Sequence, residues 1–141
     1  MPSDFVVDNS VVMAWCFDDE TDVYTDAVQD LLVHNVAFVP GIWPLEVANV
    51  LLVAERKKRI TKADSGHFIA LLAQLPIAVD STEPDRVFHD IISLAREYKL
   101  TSYDACYIEL AIRKGLPIAS LDNAVLAAAK DIQVPIMGPN G

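Results

Sequence analysis

The sequence predicts an α/β fold in which a central parallel sheet of about four to five short strands carries helices on both faces. Short apolar segments recur along the 141 residues, and stretches of helical length with one apolar side separate them. The apolar segments do not alternate with polar residues, which is typical of strands buried on both faces. No linker, repeat or low-complexity segment interrupts the pattern. We therefore expect a single domain over residues 1–141.

The first predicted strand spans 4–8, where the apolar run "FVV" ends at Asp8. A brief helix at 10–16 follows, and the acidic loop "DDETD" separates it from a helix at about 21–33. The second strand is "VAFVP" at 36–40, because valine and phenylalanine favour the extended backbone.

The segment "PLEVANVLLVAERKKR" predicts a long helix over 44–59. Pro44 suits the first turn, where its missing N–H has no helical partner to lose. The apolar stripe expected to face the core consists of Leu45, Ala48, Leu51 and Leu52.

The next three elements are a helix at 62–74, a strand at 77–80 and a helix within 84–100. The first of these helices begins near Thr61. The apolar side expected on the second helix consists of Val87, Ile91, Leu94 and Ala95.

The segment "TSYDACYIELAIRKG" predicts a helix with Thr101 or Ser102 at its N-cap and Gly115 at its end. The remaining elements are the strand "PIAS", the helix "NAVLAAAKDI" and a closing strand "VPIM", at 117–120, 123–132 and 134–137.

The charge and composition restrict the functional classes. With 20 acidic and 11 basic residues the net charge is −9, which argues against a module that coats DNA phosphates with Lys and Arg. Two bound divalent cations would change −9 to −5, so nucleic acid stays compatible with acids that hold metal. There is neither a membrane-length apolar run nor a signal segment. We expect a cytoplasmic protein in which Cys16 and Cys106, far apart in sequence, are buried thiols.

Four carboxylates stand at equivalent places in the predicted fold. Asp8 and Asp122 follow strands, whereas Glu46 and Asp104 lie in first turns of helices. The carboxyl ends of parallel strands and the starts of the following helices share one edge of the sheet, so all four are able to converge there.

Each acid also has a local explanation, since an acid in a first turn complements the helix dipole and an Asp after a strand caps the next helix. Together they are harder to explain without a counterion. Two like charges 4 Å apart repel by about 4 kcal/mol at an effective dielectric near 20. No lysine accompanies them in sequence, and carboxylate oxygens are the ligands that Mg²⁺ and Mn²⁺ prefer.

Four segments match, in order, the acidic motifs of PIN-domain ribonucleases: "VVDNSVVMAW", "PLEVANVLL", "LTSYDACYIELA" and "PIASLDNAV". In length and detail the chain resembles VapC, the toxin of VapBC toxin–antitoxin pairs, over essentially its whole length.

The resemblance implies a PIN-like domain and a catalytic quartet that binds Mg²⁺ or Mn²⁺, formed by Asp8, Glu46, Asp104 and Asp122. Asp8 and Asp104 would be the most direct ligands, with the other two completing the site through water or a second metal. Ser10 matches the family hydroxyl and would hold Asp8 or a metal-bound water, or serve only as a helix cap. Asn49, one turn after Glu46, would orient substrate or carboxylate, or be a plain surface amide.

The resemblance further implies a metal-dependent endoribonuclease that acts on RNA, forms a homodimer and is neutralised by a VapB-like antitoxin over the acidic cleft. Apolar positions beyond a single stripe, including Val50, Leu51 and Val53, are consistent with a partner surface. The segment "ERKKRITK" at 55–62 holds five of the eleven bases. It is open to two interpretations, cations that stabilise a helix C-terminus or a patch that steers RNA.

Other residue types offer weaker signals. His34, His67 and His89 have no metal-ligand spacing, so a carboxylate is the better candidate for activating water. Trp15 and Trp43 are expected in packing rather than base stacking.

Two alternatives stay open. The first is a metal-dependent phosphatase or nuclease acting on another phosphate ester. Ser10 replaces the second Asp that a haloacid-dehalogenase-like phosphatase needs, and "SLDNAV" lacks the Lys of a receiver domain. The Gly-rich turn of a dinucleotide-binding protein is absent after the first strand as well. The second alternative is a non-catalytic PIN-fold module that binds protein.

Overall fold

The computed structural model describes residues 3–138 and contains one four-stranded sheet. All paired strands are parallel, and their order is β3-β2-β1-β4. The strands are β1 (Phe5–Val7), β2 (Ala37–Val39), β3 (Ile77–Val79) and β4 (Ile118–Ala119). The predicted α/β class and parallel sheet are therefore confirmed.

The helices fall close to where the sequence places them. They are α1 (Asn9–Cys16), α2 (Val23–Leu31), α3 (Trp43–Arg56), α4 (Lys62–Gln74), α5 (Pro84–Arg86), α6 (Ile92–Tyr98), α7 (Ser102–Lys114) and α8 (Asn123–Ile132). A π-helical turn at Val87–Ile91 joins α5 to α6, so the helix predicted within 84–100 is helical but not uniformly α. In the part of the chain at 3–138, no helix combines the length and apolar character needed to span a bilayer.

The centre of the sheet is covered on both faces. Phe5, Val6 and Val7 are all fully buried, although neighbouring residues of a strand point to opposite faces. The predicted closing strand at 134–137 is reduced to one parallel bridge, between Ile118 and Ile136, because β4 itself is only two residues long.

The apolar stripe predicted on the long helix is largely wrong. The buried side chains of α3 are Trp43, Val47, Leu51 and Ala54, whereas Leu45 and Leu52 are 68% and 47% exposed. A helix so rich in apolar residues has two possible stripes, and the one that begins at Trp43 meets the core. The helix also ends three residues earlier than predicted, since Lys58 adopts a left-handed backbone with φ of 59°.

The predicted capping residues are confirmed where their geometry is local. The Thr61 side chain accepts from Asp64 N, and the Thr101 side chain accepts from Asp104 N. Gly115 ends α7 at a φ of 65°, a conformation that costs glycine little.

The strand order places a reversal of chain direction between two neighbouring strands. The chain passes from β1 outward to β2 and β3, and then returns to pair β4 with the other side of β1. In open parallel sheets, ligands bind beyond the carboxyl ends of the strands at such a reversal. The ends of β1 and β4 are therefore the first place to look for a site.

Candidate metal centre

Asp8 lies directly beyond β1 and is only 4% exposed. It occupies the N-cap position of α1, but its side chain makes no capping hydrogen bond. Its carboxylate instead accepts two hydroxyl hydrogen bonds at Oδ2, from Ser10 at 2.7 Å and from Ser120 at 2.9 Å. The helix-cap explanation of this acid is therefore wrong.

The two serines connect the ends of β1 and β4. Ser10 Oγ accepts from Leu121 N at 2.9 Å, and Ser120 Oγ accepts from Asp122 N at 3.0 Å. Each hydroxyl thus donates to Asp8 and accepts from the backbone that follows β4, which uses both functions of the group. This network holds the Asp8 carboxylate in one orientation beside Asp122.

Asp122 follows β4 and caps α8. Its Oδ1 accepts from Ala124 N at 2.8 Å and from Val125 N at 3.2 Å. The capping explanation therefore holds for Asp122, although capping engages only one of its two oxygens.

Glu46 is held from across the fold. It lies in the first turn of α3, and its Oε1 accepts from the Tyr107 hydroxyl of α7 at 2.7 Å. Tyr107 is fully buried, and this burial, followed by the Glu46 carboxylate, raises the pKa of the phenol far above its ordinary value. Tyr107 therefore acts as a buried hydrogen-bond donor that holds the Glu46 carboxylate in place.

Three of the four carboxylates, Asp8, Glu46 and Asp104, have a raised pKa, in part because of the charges of other members of the quartet. The pKa of Asp8 is raised by burial first and then, against the two serine hydrogen bonds, by the charge of Asp122. Burial also raises the pKa of Glu46, and the charges of Asp8 and Asp104 add to it. The pKa of Asp104 is raised by burial and then by the charges of Asp122 and Asp8. The quartet is therefore a cluster of mutually repelling charges.

No basic side chain balances this cluster within residues 3–138. The ion pairs there join Arg59, Arg86 and Arg113 to other acids, namely Asp19, Glu20, Asp80 and Glu109. Burying carboxylates beside one another without a partner is unfavourable, and a hard divalent cation would remove the penalty.

The donor set fits such an ion in its chemistry, because it consists of carboxylate and hydroxyl oxygens. The side chains of residues 3–138 do not form a ready-made cage, since no group of three or more His, Cys, Asp or Glu is close enough together to hold a metal. Coordination would require some of these side chains to turn toward the ion.

Comparison with known proteins identifies the family of this fold. The PIN domain family matches residues 5–131. This chain belongs to the PIN domain family. PIN domains are generally Mg²⁺-dependent nucleases. No curated protein matches the chain.

Among solved structures, the crystal structure of PAE2754 from Pyrobaculum aerophilum is similar to this PIN domain, with a TM-score of 0.68. The two share 24% identity over 91% of this chain and 87% of that chain. At this identity the likeness supports the fold alone.

The other residues singled out in the sequence differ in whether the structure gives them the predicted role. Ser10 contacts Asp8 as the resemblance implies. Asn49 is exposed and makes no hydrogen bond to any residue of 3–138, so nothing in this PIN domain ties it to the carboxylates. Trp15 and Trp43 are both 8% exposed, which confirms their expected packing role. Cys16 and Cys106 are both thiols, but only Cys106 is buried, so the predicted burial is wrong for the half-buried Cys16. Burial raises the pKa of Cys106 to about 11.

Sequence reasoning missed two residues that hold the site. Ser120 stands two residues before Asp122, mirroring Ser10 two residues after Asp8, and this symmetry was a usable signal. Tyr107 comes three residues after Asp104, which places both on one side of a helix. Its partner Glu46 is 61 positions away in sequence, and that contact has no local signature.

Proposed function

We propose that this chain is a Mg²⁺- or Mn²⁺-dependent endoribonuclease of the VapC type, acting on cytoplasmic RNA through one PIN domain formed by residues 1–141. The observation that carries the proposal is the cluster at the ends of β1 and β4. Three of its four carboxylates have a raised pKa, and no basic side chain of residues 3–138 pairs with any of them.

Asp8, Glu46, Asp104 and Asp122 are the proposed metal-holding and catalytic residues. A bound divalent cation would make water more acidic and offset negative charge on the phosphoryl oxygens. We assign the most direct contacts to Asp8 and Asp104.

The surrounding residues orient these carboxylates. Ser10 and Ser120 direct one oxygen of Asp8 toward the protein, which leaves the other to face the ion or substrate. Tyr107 does the same for Glu46.

A quartet carboxylate is proposed to accept the proton of the attacking water. A raised pKa moves a carboxyl group closer to neutrality, where a general base works best.

A VapB-like antitoxin and a homodimer are part of the same proposal. The exposed side chains of Leu45 and Leu52 lie on α3, the helix that carries Glu46. Next to them is a groove of about 390 Å³ between α3 and α4, whose lining includes Val47 and Ile69. Exposed apolar surface on the helix that carries Glu46 supports a peptide partner that binds there. Of the positions expected to be surplus, Leu51 is instead in the core at 2% exposure.

A non-catalytic module that binds protein is the second candidate, because the acids do not form a ready cage within residues 3–138. The two candidates differ in metal binding. Calorimetric titration with Mn²⁺ is expected to show binding by the native chain and a large loss for Asp8→Asn. A native chain that binds no Mn²⁺ would favour the module.

Cleavage is tested with Asp104→Asn, which removes one quartet charge while conserving shape. Purified native protein is incubated with total RNA and Mn²⁺, and the ends of the cut RNAs are sequenced. We expect Asp104→Asn to be folded by circular dichroism and to show no cleavage. Asp131→Asn, at an exposed position of α8, makes the same charge change and is expected to cleave normally. If Asp104→Asn cleaves as well as the native chain, the assignment of the site is wrong.

A further inference from the structure

We propose that the basic turn between α3 and α4, residues 56–62, is a docking surface for single-stranded RNA. It carries Arg56, Lys57, Lys58, Arg59 and Lys62, all of them exposed. The inference rests on the proposed ribonuclease function and adds to it the part of the surface that binds substrate away from the cleaved bond.

Four of these five charges have no ion-pair partner within residues 3–138. Only Arg59 is paired, with Asp19 and Glu20 at 2.8 Å each. The two acids that flank the turn are also engaged, since Glu55 accepts from the Ser65 hydroxyl and Asp64 caps the backbone of Thr61. The five cations outnumber these four acids by one, so the turn presents net positive charge on a chain whose total is −9.

Helix dipoles do not account for this cluster. A cation in the last turn of α3 is favourable, and Arg56 fits that explanation. Lys62 is the first residue of α4, at the positive end of that helix dipole, where a cation is unfavourable. Adjacent like charges at 56–58 also repel one another. A polyanionic ligand would offset these repulsions, because each cation would then face a negative charge.

Arg59 anchors the turn rather than serving as a free cation. Its guanidinium lies 3.9 Å from the centroid of the Phe17 ring and also pairs with Asp19 and Glu20 of the 3₁₀ turn that follows. These contacts fix the turn against the end of α1, whose first turn follows Asp8. The surface is thereby held in a defined position relative to the carboxylates.

The distance between this surface and the carboxylates suits a short strand of RNA. Glu46 lies in the first turn of α3 and Arg56 ends the same helix, and the ten residues that separate them span about 15 Å at the rise of an α-helix. Asp8, whose charge acts on Glu46, is almost completely buried, so only a flexible strand brings one phosphate close to it while neighbouring phosphates lie along a charged surface. A stiff duplex does not bend in this way.

The test measures RNA binding without cleavage. A labelled single-stranded RNA of about 12 nucleotides and mixed sequence is titrated with protein in EDTA, at several salt concentrations. Each phosphate contact contributes about 0.7 to the slope of log affinity against log salt for single strands. For Lys57→Gln/Lys58→Gln we expect the slope to fall by about 1.4, and binding near 0.1 M salt to weaken by about 25-fold.

The control is Lys114→Gln/Lys130→Gln, which removes the same charge. These lysines end α7 and α8, the helices whose starts carry Asp104 and Asp122, so they too lie a helix length from the acids. We expect the control to bind RNA with nearly the native slope. Equal losses in both variants would mean that only net charge matters, and an unchanged Lys57→Gln/Lys58→Gln slope would mean that the turn does not touch RNA. Either result overturns the inference.

The outcome is separable from that of the proposed function. Cleavage by the native chain in Mn²⁺ tests the nuclease directly, whatever the salt slope of the variants. A turn that binds RNA on a chain that does not cut it would support the docking surface and refute the nuclease.

Discussion

Asp8→Asn is expected to make the metal-free protein more stable while removing its response to metal. Asp8 is 4% exposed, and its pKa is raised by burial and by Asp122 even though two hydroxyls donate to it. The folded environment therefore disfavours the charge. Asparagine has nearly the same shape, and its single oxygen is able to accept from both Ser10 and Ser120.

The magnitude follows from two opposing contributions. Repulsion between two nearby carboxylates is worth about 3 kcal/mol at an effective dielectric of 20, and the substitution removes this together with the cost of burial. Making the two serine hydrogen bonds neutral costs about 1 kcal/mol each. The net gain is about 1 kcal/mol or more, which for a chain of 141 residues raises Tm by about 3 °C.

The assay is thermal unfolding at pH 7.5 in EDTA and again with Mn²⁺. A ligand at 100 times its Kd stabilises the native state by about 2.7 kcal/mol. We expect Mn²⁺ to raise the Tm of the native chain above that of Asp8→Asn and to leave the variant unchanged. Asp131→Asn controls for the change in net charge. A variant that is less stable than the native chain in EDTA, or that gains as much from Mn²⁺, would refute the reasoning.

Two further predictions concern Glu46 and the quartet. Tyr107→Phe deletes the hydroxyl that favours the charged form of Glu46, so we expect the pKa of Glu46 to rise further and about 1 kcal/mol of stability to be lost. The acidic limb of the pH–rate profile is then expected to move to higher pH. An unmoved limb would show that Glu46 does not titrate in the reaction. The raised pKa values of Asp8, Glu46 and Asp104 also set how metal-free stability depends on pH. Below the ordinary pKa range of carboxyl groups these side chains are neutral and do not destabilise the folded state. As pH rises through the raised pKa values they ionise in the folded protein, and the free energy of unfolding falls. Denaturant titrations of the native chain and Asp8→Asn in EDTA across that range check the sign: we expect a shallower fall in Asp8→Asn, and a steeper fall in the variant would contradict the reasoning.

The sequence by itself determined the features that depend on local interactions, namely the fold class, several helix ends and the candidate acids. The alternation of apolar segments with amphipathic stretches was enough for the α/β class, because the two periodicities differ along the chain itself. Thr61, Thr101 and Gly115 marked helix ends, since a cap bonds to backbone only three or four residues away. The four acids stood out for the same reason: each follows a strand or begins a helix.

The tertiary structure decided which distant segments meet. Nothing local specifies that β4 pairs with β1 rather than with β3, yet this pairing brings Ser120 to Asp8 and creates the reversal at which the carboxylates gather. The buried stripe of α3 was likewise settled by the packing of Trp43 and Val47 against the core, which two equally apolar stripes left undecided. Raised pKa values depend on burial and on charges brought together by folding. The spacing of residues along the chain carries no information about either the burial or the charges that folding brings together.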